Sequence, residues 1–334
     1  MSILYIYERA AKVGVQENCI VVESNNLKRT IPIEGVENVI IFGDASLSSS
    51  CVRQFMERNI NLTWLSTNGK FYGRLESTRN VNVNLQRNQF LSGEDEEFCL
   101  NLAKKFISAK VKNQITVLRR YKRNRPDTLL QDNIEAMLRN VPLIEKAIGK
   151  NQLMGHEGIA ARNYYQGLGQ IVEEEFKFKG RNRQPPRDPF NSLLSFAYTL
   201  LMYDVYTAVV NKGLSPYASF LHSIRQGHPA LCSDLMEEWR PVLADSLALY
   251  VTSKSIINES DFQKPNHEGG VYLDSKASKL YIAEYEKKIR SRANYLSYAD
   301  YSVSFRRAVE MQCHRLGRAI EEKDPDIYEP VVIR

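Results

Sequence analysis

The period of the hydrophobic pattern changes once along this chain of 334 residues, and that change constrains the fold more than any other feature. Up to about residue 80 the apolar residues fall in short β-branched and aromatic runs: SILYIY, CIVVES, LKRTIPI, VENVIIF, NLTWLS and KFYGRLE. Turn signals separate them at Gly14, Asn25-Asn26, Gly43-Asp44 and Asn68-Gly69, and the last of these, between two strand-like runs, predicts a hairpin. Ser48–Arg58 breaks the pattern and predicts one short helix with Val52, Phe55 and Met56 facing inward. From about residue 93 the spacing becomes helical. The expected fold is therefore α+β: a small N-terminal β-sheet domain over residues 1–85, then a larger all-α domain over 86–334.

The helical part is expected to begin with one long run from Gly93 through Lys122, its acids at the favourable N-terminal end. NRPD (124–127) then breaks the chain. Two helical runs follow, one to about Asn140 and one over Val141–Ile148. Asp188 and Pro189 stand in cap-then-proline order before a helix that is apolar almost all round, through Leu193, Leu200, Leu201, Val205 and Val209. Such a helix belongs at the centre of a domain, and Gly213 ends it. LADSLALYVTSKSII predicts a further apolar helix, Phe262–Ser275 a surface loop and hairpin, and Lys276–Lys323 a charge-mixed helical stretch followed by an extended tail.

Charge and cysteine usage narrow the function classes. No apolar run is expected to reach a membrane span, because charge interrupts the long stretches. The start, MSILYIYERA, has no basic region or apolar core of useful length, so no signal peptide is expected. Cys19, Cys51, Cys99, Cys232 and Cys313 are odd in number and scattered without a CxxC. They read as reduced thiols of a cytoplasmic protein. The net charge is +6, and its distribution matters more than its size. Between Ala103 and Asn124, Lys104, Lys105, Lys110, Lys112, Arg119, Arg120, Lys122 and Arg123 occur without one acid. A solvated helix face usually mixes signs, so this run is a candidate phosphate-backbone contact. Arg306, Arg307, Arg315 and Arg318 suggest a second basic surface.

The chemistry concentrates in SPYASFLHSIRQGHPALCSDLMEEWRP, Ser215–Pro241. His222 is followed by Asp234, Glu237 and Glu238. An imidazole with nearby carboxylates is the raw material of a hard-metal site for Mg²⁺ or Mn²⁺. If SDLMEEWRP is helical, Ser233 is the expected N-cap, and Asp234 shares a face with Glu237 and Glu238. Three such carboxylates repel one another unless a cation sits among them. The alternative is a solvated acidic helix start favoured by the dipole, but the apolar company of Phe220, Leu221, Leu235 and Trp239 argues for burial. A second stretch, GHEGIAARNYYQGLGQIVEEE, places Glu157 near an expected helix start. His156 reads as a loop residue, and Tyr164 and Tyr165 as packing aromatics, not activated nucleophiles.

Together these strings resemble a known family. EGIAARNYY, RNRQPPRDPFNSLLSFAYTLL, FLHSIRQGHPALCSDLMEEWRP, VYLD and a closing Arg-rich helix followed by YEP occur in order over nearly the whole chain. The chain resembles the spacer-acquisition integrase of CRISPR adaptation, the universal "Cas one" endonuclease. The resemblance implies a metal-dependent DNA endonuclease and integrase in which the 3′-hydroxyl of a short DNA attacks a phosphodiester at the edge of a repeat. It implies one Mg²⁺ or Mn²⁺ held by Glu157, His222 and Glu237, which are also the implied catalytic residues. Asp234 matches a further acidic position, and Glu238 and Arg240 carry no assigned role. Helical spacing alone does not separate Glu237 from Glu238. Lys104, Lys105, Lys110, Lys112, Arg119, Arg120, Arg181 and Arg183 are then candidate contacts to double-stranded DNA. The implied partners are a second copy of the chain, through the β domains, and the small adaptation protein "Cas two"; no membrane is involved. The competing expectation is a non-catalytic DNA-binding scaffold whose acidic cluster is structural.

Overall fold

The computed structural model describes residues 2–25, 27–123, 130–296 and 298–333, so the expected NRPD break and the Asn26 half of one turn signal lie outside the described residues. The chain divides into two compact units, Met1–Val81 and Asn82–Arg334. The division falls four residues before the expected one.

The first unit contains strands β1 (Ser2–Ile6), β2 (Ala11–Gln16), β3 (Cys19–Ser24), β4 (Leu27–Pro32), β5 (Val36–Phe42), β6 (Ala45–Leu47), β7 (Asn61–Leu65) and β8 (Phe71–Leu75), with helix α1 (Ser49–Glu57) before β7. One sheet has the order β1-β5-β7-β8, parallel except for the final β7/β8 hairpin. The other has the order β4-β3-β2-β6. The burial of β5 (VENVIIF) is nearly continuous, as expected of a central parallel strand covered on both faces. β4 instead carries exposed Lys28 and Arg29, charges that discourage further pairing at a sheet edge. Gly69 has φ +84° in the β7/β8 turn, a backbone state that a side chain disfavours, so the Asn-Gly signal marks the hairpin. Helix α1 is capped by Ser48, whose side chain accepts from the Cys51 backbone N–H. Its buried residues are Cys51 and Phe55; Val52 and Met56 are only partly covered.

The second unit is helical: α2 (Val83–Glu94), α3 (Glu96–Lys122), α4 (Leu130–Glu145), α5 (Lys150–Ile171), α6 (Pro189–Lys212), α7 (Ala230–Trp239), α8 (Ser246–Ser253), α9 (Ser275–Arg290) and α10 (Phe305–Glu322). The short strands β9 (Arg292–Ala293) and β10 (Val303–Ser304) pair between α9 and α10. Several sequence expectations are corrected here. The long run is broken at Asp95, whose carboxylate accepts from the N–H groups of Glu97 and Phe98 at 3.0 Å and caps α3. Conversely, α4 continues through Pro142 as one helix, since a proline removes one hydrogen bond without always ending a helix. The expected single run 276–323 is two helices with the β9/β10 pair between them. The tail is not free: Tyr328 and Val331 are buried.

Helix α6 is the core of this unit. Asp188 accepts from the Asn191 N–H, Pro189 stands at its first turn, and Gly213 (φ +86°) closes it. By length and composition α6 is apolar enough to cross a membrane, contrary to the expectation that charge would interrupt every such run. Most of that apolar surface is buried against other helices. Its buried acid, Asp204, receives Arg306 Nε at 2.6 Å and the Tyr285 hydroxyl at 2.8 Å. Arg306 also pairs with Glu286, so it belongs to the interior and not to the expected basic surface. Removing one member of a buried ion pair strands the other. The Arg306→Met variant is therefore expected to lose about 3–5 kcal/mol of unfolding free energy, read by urea denaturation; a loss within experimental error contradicts this account of the core.

Candidate metal centre

Three elements bring the acidic residues together. Lys110 lies on α3, Glu157 on α5 and Glu237 on α7. The Lys110 Nζ stands 2.6 Å from Glu157 Oε1 and 2.6 Å from Glu237 Oε2. On its other oxygen, Glu237 receives Arg240 Nη1 at 2.5 Å. Arg240 opens a π-helical turn, Arg240–Asp245, which follows α7 directly, and its guanidinium lies over the Tyr198 ring at 5.2 Å. Glu237 is almost completely buried. Burial alone raises a carboxyl's pKa; the nearby charges of Arg240 and Lys110 overcome this and hold Glu237 at about 2. The Lys110 ammonium is desolvated too, yet Glu237 and Glu157 raise its pKa above the ordinary lysine value.

His222 is placed by Asp234. The Asp234 carboxylate accepts the backbone N–H groups of Phe220 (2.7 Å), Leu221 (3.0 Å) and His222 (2.9 Å). It also meets His222 Nδ1 at 2.7 Å. A carboxylate partner makes Nδ1 the donor, and in the neutral imidazole that tautomer turns the Nε2 lone pair away from Asp234. Nε2 lies 3.7 Å from Glu237 Oε1. From α2, Gln89 fixes the same loop: it donates to the carbonyls of Ser215 and Ala218 and accepts from the Ser215 N–H.

The three carboxylates of α7 therefore serve three directions, unlike the common face that their spacing suggested. Asp234 turns to the His222 loop and Glu237 to Lys110. Glu238 turns to the tail, meeting the Tyr328 hydroxyl at 2.5 Å and the Val331 N–H at 2.7 Å. Burial pushes Glu238 up to about 8. Helix α7 begins at Ala230, so Ser233 is not its cap and Asp234 is in its second turn. Glu157 likewise lies in the interior of α5, two turns beyond its start at Lys150, and His156 is helical, with Nδ1 3.2 Å from Asn140 Oδ1.

The donor set suits a hard divalent cation. Carboxylate oxygens from two helices already converge on one positive charge, and an imidazole nitrogen faces the carboxylate of Glu237, oriented by the Asp234 carboxylate behind it. Among the described residues, no three His, Cys, Asp or Glu side chains are already arranged as a metal cage; the Lys110 ammonium occupies the space between Glu157 and Glu237.

The basic run does not form one positive stripe. Besides Lys110, Lys105 donates to the carbonyls of Pro325 and Tyr328 and pairs with Asp326. Lys112 pairs with Glu145. Lys104 is half-buried, whereas Arg119, Arg120, Arg183 and Arg187 are exposed. Arg181 binds Asn191 and Ser195 and lies over Tyr198. The acids and carbonyls that take up these lysines come from distant parts of the chain, which a local charge count does not register.

Tyr198 connects the centre to the core. Its hydroxyl donates to Asp245 Oδ1 at 2.6 Å, and Tyr164 donates to Asp245 Oδ2 at 2.8 Å. Burial raises both phenols well above their ordinary value, so neither is an activated nucleophile. Burial also lifts Asp245 to about 6. The native state then holds a proton that the unfolded state releases near 3.8, so the stabilisation from this group is lost as pH rises from about 4 to 6. The difference amounts to about 3 kcal/mol. The Asp245→Asn variant is expected to flatten that part of the stability profile, measured by urea denaturation at pH 4 and pH 7; an unchanged slope contradicts the assignment.

Comparison with known proteins agrees with this architecture. The family model described as CRISPR associated protein Cas1 matches residues 4–287. A CRISPR-associated endonuclease Cas1 of Thermus thermophilus is 30% identical, over 100% of this chain and 98% of its own length. A Cas4 exonuclease/Cas1 endonuclease fusion of Geobacter sulfurreducens is 34% identical over 96% of this chain, which spans only 59% of the fusion. Among solved structures, a casposase bound to integration product superposes with a TM-score of 0.85 at 20% identity, over 97% of this chain and 92% of that one. A chain of a Cas6-RT-Cas1–Cas2 complex superposes at 0.84 with 22% identity, over 98% of this chain and 36% of the other. Both structural likenesses concern the fold.

Proposed function

Because the chain belongs to the CRISPR-associated protein Cas1 family, we propose that it is a DNA endonuclease and integrase of CRISPR adaptation whose site uses Mg²⁺ or Mn²⁺. The observation that carries this reading is the meeting of Glu157 and Glu237 on one buried cation, with His222 Nε2 facing Glu237. Glu157, Glu237 and His222 would hold the metal, with Asp234 as the residue that orients His222. The metal supplies charge stabilisation at the phosphodiester that reacts.

The protein's own residues prepare that site. Arg240 keeps Glu237 ionised, and Asp234 fixes the imidazole tautomer that leaves Nε2 free of a proton. In the reaction, the 3′-oxygen of a short DNA forms a bond to phosphorus while the bond to the leaving 3′-oxygen of the repeat strand breaks. The proton lost by the attacking hydroxyl is balanced by one gained at the leaving oxygen. Two electrostatically similar oxygens exchange places, so positioning and charge stabilisation account for most of the chemistry. Chains of like fold occur in a Cas6-RT-Cas1–Cas2 complex and in a casposase bound to integration product, which supports a Cas2-type partner and double-stranded DNA as substrate. A homodimer completes the reading.

Strand joining of a labelled short duplex to plasmid DNA tests it, with Mg²⁺, Mn²⁺ or EDTA and with or without the Cas2-type partner. Wild type is expected to join DNA only with metal, and His222→Ala and Glu157→Ala to lose joining while retaining DNA affinity. Retained DNA binding with no reaction in any metal points instead to a scaffold. Exposed bases give a separate prediction. Arg119→Ala is expected to reduce the slope of log affinity against log salt by about one counter-ion if Arg119 contacts a phosphate, and an unchanged slope removes it from the interface.

A further inference from the structure

The lysine between the two acids has a consequence for metal loading. Lys110 comes from α3, the helix whose basic run suggested DNA contacts, yet its ammonium is the charge that holds Glu157 of α5 against Glu237 of α7. Its side chain is only 12% exposed. Arg240 approaches the opposite oxygen of Glu237 and is held against the Tyr198 ring. Two carboxylates, one ammonium and one guanidinium sum to no net charge. A divalent ion placed between Glu157 and Glu237 meets the ammonium at contact distance, where like charges repel in a poorly hydrated site. The same oxygen atoms cannot serve both cations at close range.

We propose that Lys110 is a resident counter-cation that a divalent metal must displace, so that this side chain sets the metal concentration at which the centre loads. The inference rests on the metal-site reading given above. Lysine suits the role because its ammonium ends a flexible four-carbon stem and can leave by rotation. Arg240, a planar fork lying over the half-buried Tyr198 ring, is the fixed charge that remains with Glu237. Without metal, Lys110 offsets the repulsion between the facing carboxylates of Glu157 and Glu237. With metal, its ammonium moves toward solvent, at the mouth of a site whose substrate is a polyanion.

The test is Mn²⁺ binding to the full-length metal-free protein by titration calorimetry, comparing wild type, His222→Ala and Lys110→Met. Lys110→Met is expected to bind Mn²⁺ about tenfold more tightly than wild type, and His222→Ala more weakly. A second measurement uses only the wild type, because Lys110→Met removes the counter-charge of Glu157 and one of the two on Glu237 and is expected to be less stable. Acylation of Lys110 by an amine-reactive reagent, quantified by peptide mass spectrometry, is expected to rise severalfold when Mn²⁺ is added. Equal or weaker Mn²⁺ binding by Lys110→Met, or Lys110 labelling that is unchanged or falls with Mn²⁺, overturns the proposal. If wild type binds Mn²⁺ through His222 and Lys110→Met binds no more tightly, only the lysine proposal fails. If no protein binds Mn²⁺, the metal reading fails with it.

Discussion

Four charges pair where α3, α5 and α7 meet, one of them, Glu237, buried and the other three partly so, and much of the helical unit is arranged around their pairing. A buried carboxylate is tolerated only with a counter-charge or a full set of hydrogen bonds. Glu237 has both an ammonium and a guanidinium. Each of these is supported in turn: Lys110 by Glu157, and Arg240 by the Tyr198 ring. Tyr198 passes the support on to Asp245 and Tyr164, next to the core helix. On the Arg240 side the centre is therefore continuous with the packing of the domain, which gives Arg240 and Glu237 little freedom to drift.

Around this group the protein uses buried polar side chains as fasteners. Asp234 ties down three successive backbone N–H groups of the His222 loop, and Gln89 ties the start of that loop to α2. Asn113 on α3 donates to the carbonyls of Glu238 and Val331 and accepts from the Ile333 N–H, so the C-terminal strand of chain is fixed to the back of α7. Each fastener satisfies backbone groups that no regular element would pair. The outcome is a loop, a helix and a tail held in register by a few residues.

The sequence reveals the parts of this arrangement that depend on local pattern. The division into β-rich and helical parts, the Asn68-Gly69 hairpin and the Asp188, Pro189 and Gly213 punctuation of α6 all follow from period and turn chemistry. What it hides depends on distant partners. Lys105, Lys110 and Lys112 look alike in a basic run, but Asp326, Glu157 and Glu145 give them separate roles. Arg306 reads as surface charge until Asp204, a hundred residues earlier, is seen beside it. Gln89 and Asn113 resemble ordinary polar positions on helices, since polar residues stand beside them in the sequence as well. Glu237 and Glu238 are adjacent and chemically identical, so only the direction of each side chain on α7 separates an acid facing Lys110 from one buried against Tyr328.

The central claim is that Glu157, His222 and Glu237 form one cation site. The most direct measurement is anomalous diffraction at the manganese edge from crystals of the full-length protein grown with Mn²⁺. The account predicts a peak bounded by carboxylate oxygens of Glu157 and Glu237 and by His222 Nε2, with the Lys110 ammonium withdrawn from between the two acids. A peak elsewhere, or no peak while Lys110 still bridges Glu157 and Glu237 at saturating Mn²⁺, contradicts it.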